Sequence, residues 1–295
     1  MSGWNGVVLL HKPRGITSFD ALHAVKKVFK TKRVGHAGTL DRFASGLLLV
    51  LMGSYTRLFD LWMDMDKEYE GIFEFGKETD TLDPEGIVLA ESSPPSLEEI
   101  QTHIPSFLGT INQAPPAFSA VHVQGKRAYQ QVRRGISVQP PPRRVTIHSI
   151  EVLEYHSPLL KIRVRCGKGT YIRSLARDLG RICGSSAYVK ELIRTRIGPF
   201  LLKDAVTPLS LNGPGDIQRG KELLTYLFPS RVLTVPLTVI PRVRRGQSLD
   251  PKIWEGTVFQ EGPYILLTEE EELLGCLEVR EGTLSYRFVV STESV

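Results

Sequence analysis

Two kinds of apolar pattern run along this chain. The first is the short unbroken run: Val7 to Leu10, ended by Lys12-Pro13-Arg14-Gly15, and Leu47 to Met52, set between Gly46 and Gly53. Runs of this length closed by glycine or proline predict strands buried on both faces. The second is strict alternation. Tyr69, Gly71, Phe73 and Phe75 alternate with Glu68, Glu70, Ile72 and Glu74, and Leu160, Ile162, Val164 and Cys166 alternate with Lys161, Arg163 and Arg165. Both segments predict half-buried strands, as does Val145 to Leu153. Helical spacing appears in three places. Thr17 or Ser18 caps a helix that places Phe19, Leu22, Val25 and Phe29 on one face. Ser96 starts a short helix with Leu97, Ile100 and Ile104 inward, and Ile172, Leu175, Ala176, Leu179 and Ile182 line a third. Residues 187–198 fit a short helix or a strand, with the basic exit Arg194-Thr-Arg196.

Elements of both kinds in alternation place the chain in the α/β (α+β) class. The acidic turn from Glu78 to Gly86, followed by Ile87-Val88-Leu89, predicts a long hairpin connection. Gln113 to Gly135 is rich in proline, small residues and cations. It predicts an arm inserted between strands, carrying a basic helix over Arg127 to Arg134 and ended by Pro140-Pro141-Pro142. Prolines 229, 236 and 241 mark a change in composition. Beyond about Leu237, the short segments Tyr264 to Thr268, Leu274 to Arg280 and Leu284 to Val290 predict a small appended β-barrel.

Charge changes this picture through its distribution. The net charge is only +5 over 295 residues. Yet residues 126–177 hold 12 Lys/Arg against Glu151 and Glu154, while residues 60–99 hold 13 Asp/Glu against two lysines. Such segregation points to a polyanion partner, nucleic acid first. Cys166, Cys183 and Cys276 lie far apart with no C-x-x-C, which excludes a cysteine framework or cysteine zinc site and fits a reducing compartment. The first residues lack the basic region and long apolar core of a signal peptide. No segment approaches the ~20 apolar residues of a membrane span. A cytoplasmic protein is expected.

The candidate chemistry centres on Arg33 to Leu51, RVGHAGTLDRFASGLLLVL. Gly35, Gly38 and Gly46 permit tight turns and close backbone approach. Asp41 then sits on a loop held by a rigid strand, where catalytic groups tend to lie. Capping a helical turn is the plainer role for Asp41, and surface filling the plainer one for His36. Arg173 falls in the first turn of its helix, off the apolar stripe and at the end where a cation opposes the helix dipole. That misfit suits a residue answering to a carboxylate or a phosphate. Tyr69 heads its strand beside Lys67, as a packing residue or a stacking one. Lys26, Lys27, Lys30, Lys32 and Arg33 load a helix C-terminus, which the dipole favours and a phosphate would also favour.

In order along the chain stand Lys12-Pro13-x-Gly15, Gly35-His-Ala-Gly-Thr-Leu-Asp41, Lys67-x-Tyr69, Pro115-Pro-Ala-Phe-Ser-Ala120, Gly169-Thr-Tyr-Ile-Arg173 and Leu192 to Arg194. Together they resemble the bacterial tRNA pseudouridine synthases of the TruB type, over nearly the whole chain. The resemblance implies a catalytic domain over 1–236, with a central mixed, largely antiparallel sheet flanked by helices and an RNA-binding arm near 110–142. It implies a short PUA-like RNA-binding barrel over 237–295. By the same resemblance Asp41 is the catalytic aspartate, Arg173 its partner, and Tyr69 the ring that stacks on the flipped uracil. Leu192 packs on the target base, His36 enters the RNA loop, and Lys12 lines the cleft. Arg42, Lys67, Arg133 and Arg134 complete the expected RNA contacts. His11 and Arg42 depart from the family pattern, which has an acid and a proline there.

The implied reaction is isomerisation of uridine-55 in the T arm of tRNA. A carboxylate can carry it by adding to C1′ or C6, or by removing the C2′ proton to give a glycal. No metal, redox group or nucleotide cofactor is required, and the target base must leave its stack. A monomer acting on tRNA, with no membrane partner, is expected. An RNA-guided relative and a tRNA-binding or folding module without turnover are the alternatives.

Overall fold

In the computed structural model the described residues are 4–290 apart from 120, 124 and 133. Strand β1 (Gly6–Lys12) leads through helix α1 (Ser18–Phe29) to β2 (Val34–Ala37) and β3 (Ser45–Met52). The short α2 (Phe59–Met63) precedes β4 (Lys67–Phe75), and β5 (Lys77–Thr79) pairs with β6 (Val88–Glu91) across the acidic turn. Helix α3 (Leu97–His103) and β7 (Gly109–Gln113) bring the chain to the arm. There the small hairpin β8 (His122–Val123) and β9 (Lys126–Arg127) is followed by α4 (Ala128–Val132). The expected basic helix over 127–134 is therefore only five residues long, because the hairpin takes Arg127 and Arg134 already lies in the turn beyond. Next come β10 (Arg143–His156), β11 (Leu159–Cys166), α5 (Ile172–Ile182) and β12 (Ala187–Ile197). Residues 187–198, open between helix and strand in the sequence, form a strand.

Eight of these strands, all but the β5–β6 and β8–β9 pairs, join two short later strands in one ten-stranded sheet, with its main path β7-β10-β11-β4-β12-β3-β1. Its pairs are antiparallel except β12 with β3, which run parallel over Ile193–Ser45 and Arg194–Gly46. One edge of β3 is shared. Its start pairs with β12, and its later residues, Leu49 to Met52, pair with β2. The chain from β2 back into β3 therefore emerges at a fork in the sheet, and residues 38–44 form a loop there.

Strands β1 and β3 are buried on both faces, as their unbroken apolar runs predict. Val7, Leu9, Leu47, Leu49 and Leu51 point into one core, while Val8, Leu10, Leu48, Val50 and Met52 point into another, under α1. A third core lies between β4, β11, β12 and α5. The α1 cap is as expected, with Thr17 and Asp20 forming a reciprocal capping box. Its buried face is not. Phe19 is 59% exposed, and the inward stripe runs Ser18, Ala21, Leu22, Val25, Phe29. Ser18 sets that rotation, because its hydroxyl bonds both the N–H and the carbonyl of Leu40 at 2.8 and 3.0 Å.

After β13 (Phe200–Leu201), β14 (Ile217–Gln218) and α6 (Gly220–Leu227), the tail forms a four-stranded sheet of β15 (Val232–Thr234), β16 (Gly262–Leu267), β17 (Leu273–Arg280) and β18 (Thr283–Val289). Helix α7 (Ile240–Arg244) and Trp254 cover one face with Tyr264, Leu266 and Leu277. On the other face Ile265, Leu267 and Leu273 join the core of Leu9, Leu47, Leu49 and Trp62.

Candidate active site

The loop at the fork carries Asp41, and it is fastened from three sides. Ser18 holds Leu40 as described. Gly15 and Arg42 bond reciprocally, the Gly15 N–H to the Arg42 carbonyl and Arg42 Nε to the Gly15 carbonyl, both at 2.9 Å. Arg42 thereby fixes by hydrogen bonds the turn that a proline would stiffen by its ring. From below, Lys12 is fully buried and its ammonium donates to the carbonyls of Ala44 at 2.6 Å, Ile16 at 2.8 Å and Pro13 at 3.0 Å. Burial pushes its pKa down to about 8, with the Asp41 charge opposing. The structure thus places Lys12 behind the loop, not along an open cleft wall.

Arg173 explains its own misfit. Its guanidinium, on a side chain 5% exposed, meets Asp41 with Nε 2.8 Å from Oδ2 and with an aligned hydrogen bond from Nη2 to Oδ1 at 3.1 Å. Nη1 donates to the Thr81 carbonyl at 2.7 Å and lies 3.3 Å from Asp83 Oδ2, and Nη2 donates to the Phe118 carbonyl at 3.0 Å. One cation therefore joins α5, the Asp41 loop, the turn between β5 and β6, and the base of the arm. Its two carboxylates differ in access: the Asp41 side chain is 37% exposed and that of Asp83 only 7%. Asp83 also accepts from the Thr81 hydroxyl at 2.6 Å and the Glu85 N–H at 3.0 Å, and burial pushes its carboxyl up. Sequence reasoning missed Asp83, since Asp83-Pro84 in an acidic turn reads only as turn chemistry.

This arrangement makes a stability prediction. Arg173→Met should cost about 3–5 kcal/mol, the usual penalty for stranding a buried charge. Adding Asp83→Asn should recover part of that loss. Thermal melts of the single and double variants check it; a single variant that melts with the unmodified protein would show the pair to be dispensable.

Tyr69 lies on β4, directly opposite Arg194 on β12 and Val164 on β11. It is partly buried against the core beneath it, and burial pushes its phenol up while Arg194 opposes. Leu192 is buried opposite Gly71, where a Cβ would stand 3.2 Å from the Glu191 carbonyl oxygen and 3.4 Å from Leu192 Cδ1. His36, on β2, keeps Nδ1 buried with no hydrogen-bond partner among the described residues. Burial and the nearby Arg194 lower its pKa, which favours the neutral ring. Lys67 is buried too, donating to the Met63 and Met65 carbonyls at 2.5 and 2.6 Å, with its pKa pushed down to about 8 by burial. It closes the end of α2 and, with Asp66, Glu68, Arg165 and Arg196, lines a pocket beside that end. Arg134 is exposed on the arm, and Arg133 lies outside the described residues.

Four of the twelve cations in the basic window meet acids of the acidic one. Strand β11 pairs with β4, so the basic window lies against the acidic one. Arg163 bonds Glu70 and Glu151 at 2.8 Å, Arg165 approaches Asp66 at 3.7 Å, Lys168 meets Asp64 at 2.7 Å, and Arg173 meets Asp83. These cations answer to the protein's own acids, which a linear count cannot show.

A family model described as "TruB family pseudouridylate synthase (N terminal domain)" matches residues 26–172. The tRNA pseudouridine synthase B of Borreliella burgdorferi (strain ZS7) is 48% identical over 204 residues, 68% of this chain and 72% of that protein. The tRNA pseudouridine synthase B of Chlamydia pneumoniae is 43% identical over 211 residues, 71% of this chain and 89% of its own. Among solved structures, a chain in the crystal structure of a Cbf5-Nop10-Gar1 complex superposes with a TM-score of 0.70 at 24% identity, covering 98% of this chain and 86% of that one. At that identity the likeness shows a shared fold.

Proposed function

We propose, since the chain belongs to the TruB family of pseudouridylate synthases, that it isomerises uridine to pseudouridine in tRNA, with uridine-55 of the T arm as its target. The observation that carries the reading is one reachable carboxylate, Asp41, gripped at both oxygens by a buried arginine. The guanidinium favours the ionised form and fixes its aim. In the reaction the N1–C1′ bond breaks, the uracil turns over, C5 bonds to C1′, and the C5 proton leaves while N1 gains one. Asp41 serves as the group that adds to the sugar or base, or that takes the C2′ proton. Flipping the nucleotide costs a few kcal/mol, and the Tyr69 ring replaces part of the lost stacking. Its hydroxyl relays the proton that C5 gives up. Leu192 forms the apolar floor, and neutral His36 fills the space the base leaves. Lys12 and Lys67 act from behind, holding backbone. The arm and the C-terminal sheet grip the folded RNA by shape and phosphate, in a monomer working in the cytoplasm.

The test uses tRNA transcribed with uridine tritiated at C5. Release of one tritium per tRNA is the expected result, because C5 exchanges its hydrogen for the glycosidic bond. Binding without release would put the non-catalytic RNA-binding reading ahead.

Among the described residues, Lys26, Lys27 and Lys30 at the end of α1 form no ion pair. Phe19, His23, Lys26 and Lys30 fall on one outward stripe by the 3.6-residue period, with Lys26 stacked 4.9 Å over Phe19. The helix starts against the Asp41 loop, so this stripe leads away from the site. Replacing Lys26, Lys27 and Lys30 by Gln should lower the log–log salt slope of tRNA binding by about 2–2.7, at ~0.7–0.9 per lost phosphate contact. Arg163→Gln should leave the slope unchanged. Titrations from low to moderate salt decide it, and the reverse outcome would return the contacts to β11.

A further inference from the structure

Two arginine–carboxylate pairs tie the Asp41 segment and its partner helix to the turn between β5 and β6, and they differ in kind. The inner one, Arg173 with Asp83, is buried and belongs to the site described above. The outer one joins Arg42, the residue after Asp41, to Glu85. Its side chains are 63% and 48% exposed, and Arg42 Nε stands 3.9 Å from Glu85 Oε1. That is an ion pair too long to be a hydrogen bond. The two pairs are linked, because the Glu85 N–H donates to Asp83 Oδ1 at 3.0 Å. Contacts therefore run in a ring from Asp41 through Arg173, Asp83 and Glu85 to Arg42, which keeps the outer pair beside the reactive carboxylate.

The Arg42 guanidinium is anchored at one end only. Nε donates to the Gly15 carbonyl at 2.9 Å, which fixes the group in place. Nη1 and Nη2 make no hydrogen bond among the described residues. Two such N–H groups side by side are the fork that grips a phosphate. An exposed pair like Arg42 with Glu85 contributes little stability, so a stronger anion displaces the carboxylate easily. A uridine within RNA carries a phosphodiester on each side of its sugar. A nucleotide that reaches Asp41 therefore brings such an anion towards the next residue of the loop.

We propose that Arg42 binds a phosphate flanking the target uridine, and that Glu85 holds the place of that phosphate until RNA arrives. The inference rests on the function proposed above. In the free protein Glu85 neutralises Arg42; in the complex the phosphate takes over the guanidinium and the carboxylate swings out to solvent.

Equilibrium titrations with an unmodified tRNA transcript test it. Glu85→Gln should tighten binding at low salt by about three- to fivefold, the scale of one exposed ion pair. With Arg42→Pro also present, the same substitution should change affinity by less than about twofold, since the cation it releases is gone. Equal gains in both backgrounds would overturn the proposal and leave Glu85 a general repulsion. Arg42→Pro alone should lower the log–log salt slope by ~0.7–0.9, one phosphate contact, and an unchanged slope would overturn it. Proline suits the position because the Arg42 N–H makes no hydrogen bond among the described residues. Should it unfold the protein, Arg42→Gln is read in the same way. Transcripts with an uncharged methylphosphonate on one or the other side of the target locate the contact. On one of them Arg42→Pro should cost no further affinity, and further loss on both would overturn the assignment. Absence of pseudouridine with the unmodified protein would instead remove the proposed function, leaving the salt slope and the Glu85→Gln gain to judge the exchange at Arg42 alone.

Discussion

Asp41→Asn should lower single-turnover pseudouridine formation by at least ~10⁴-fold, the scale of removing a nucleophile or base from a site that retains its binding groups. The fold should persist. Asn is nearly isosteric, and Arg173 keeps Asp83, the Thr81 carbonyl and the Phe118 carbonyl as partners. The loop is also held by Lys12, Ser18 and Arg42, none of which depends on the Asp41 charge. tRNA affinity should stay within about threefold, because affinity comes mainly from phosphate contacts elsewhere. Nor can the second carboxylate take over. Asp83 sits on the far side of the same guanidinium, buried and already committed to Thr81 and Glu85. Residual activity near that of the unmodified protein would mean that another group carries the chemistry.

Removing residues 237–295 should abolish the stable fold rather than yield a weaker-binding catalytic domain. The cut takes Ile265, Leu267 and Leu273 out of the core that contains Leu9, Leu47, Leu49, Leu51 and Trp62. At roughly 1.5–3 kcal/mol for each large aliphatic side chain lost, the deficit is ~5–9 kcal/mol. That rivals the whole stability of a typical domain, ~5–15 kcal/mol. The cut also removes the Arg287–Asp60 contact at 3.3 Å and leaves β15 without its partner. Polar replacement of Leu267 in the full chain should act in the same direction with smaller effect. Soluble truncated protein with a cooperative melt near that of the full chain would show the tail to be independent.

That result would also measure what the sequence conceals. The prolines near 229–241 signal a change of composition, and the strands beyond it are legible from their alternation. What alternation cannot say is where each face packs. In β16, Tyr264, Ile265, Leu266 and Leu267 are all buried. Alternate members face the tail's own core and the body's core, so the sheet is a wall between them. Strands β1, β3, β4 and β11 were readable because burial on one or both faces leaves a direct imprint on periodicity.

The site divides the same way. Asp41 and Arg173 were readable because each breaks a local rule: a carboxylate in a glycine-rich loop, and a cation at the wrong end of a helix. Asp83 breaks none, since an acid before proline in a turn is ordinary. Lys12 and Lys67 were readable as important but not as buried, because a lysine bonded to backbone carbonyls looks, in a linear chain, like one bonded to RNA. The basic and acidic windows are partly paired with each other, which the sequence hides for a related reason. Pairing between β4 and β11 brings them together in space, and proximity in space is what a charge count along the chain lacks.

The central claim is that Asp41 turns over one T-arm uridine. The most direct measurement uses unmodified tRNA transcribed with uridine deuterated at C5, treated with the protein and digested for mass mapping. Each conversion exchanges one deuterium for hydrogen, so the otherwise mass-silent isomerisation becomes visible and can be placed. The account predicts loss of a single deuterium, at uridine-55, and none with Asp41→Asn. Loss at uridines throughout the tRNA, no loss at all with the unmodified protein, or equal loss with Asp41→Asn would contradict it.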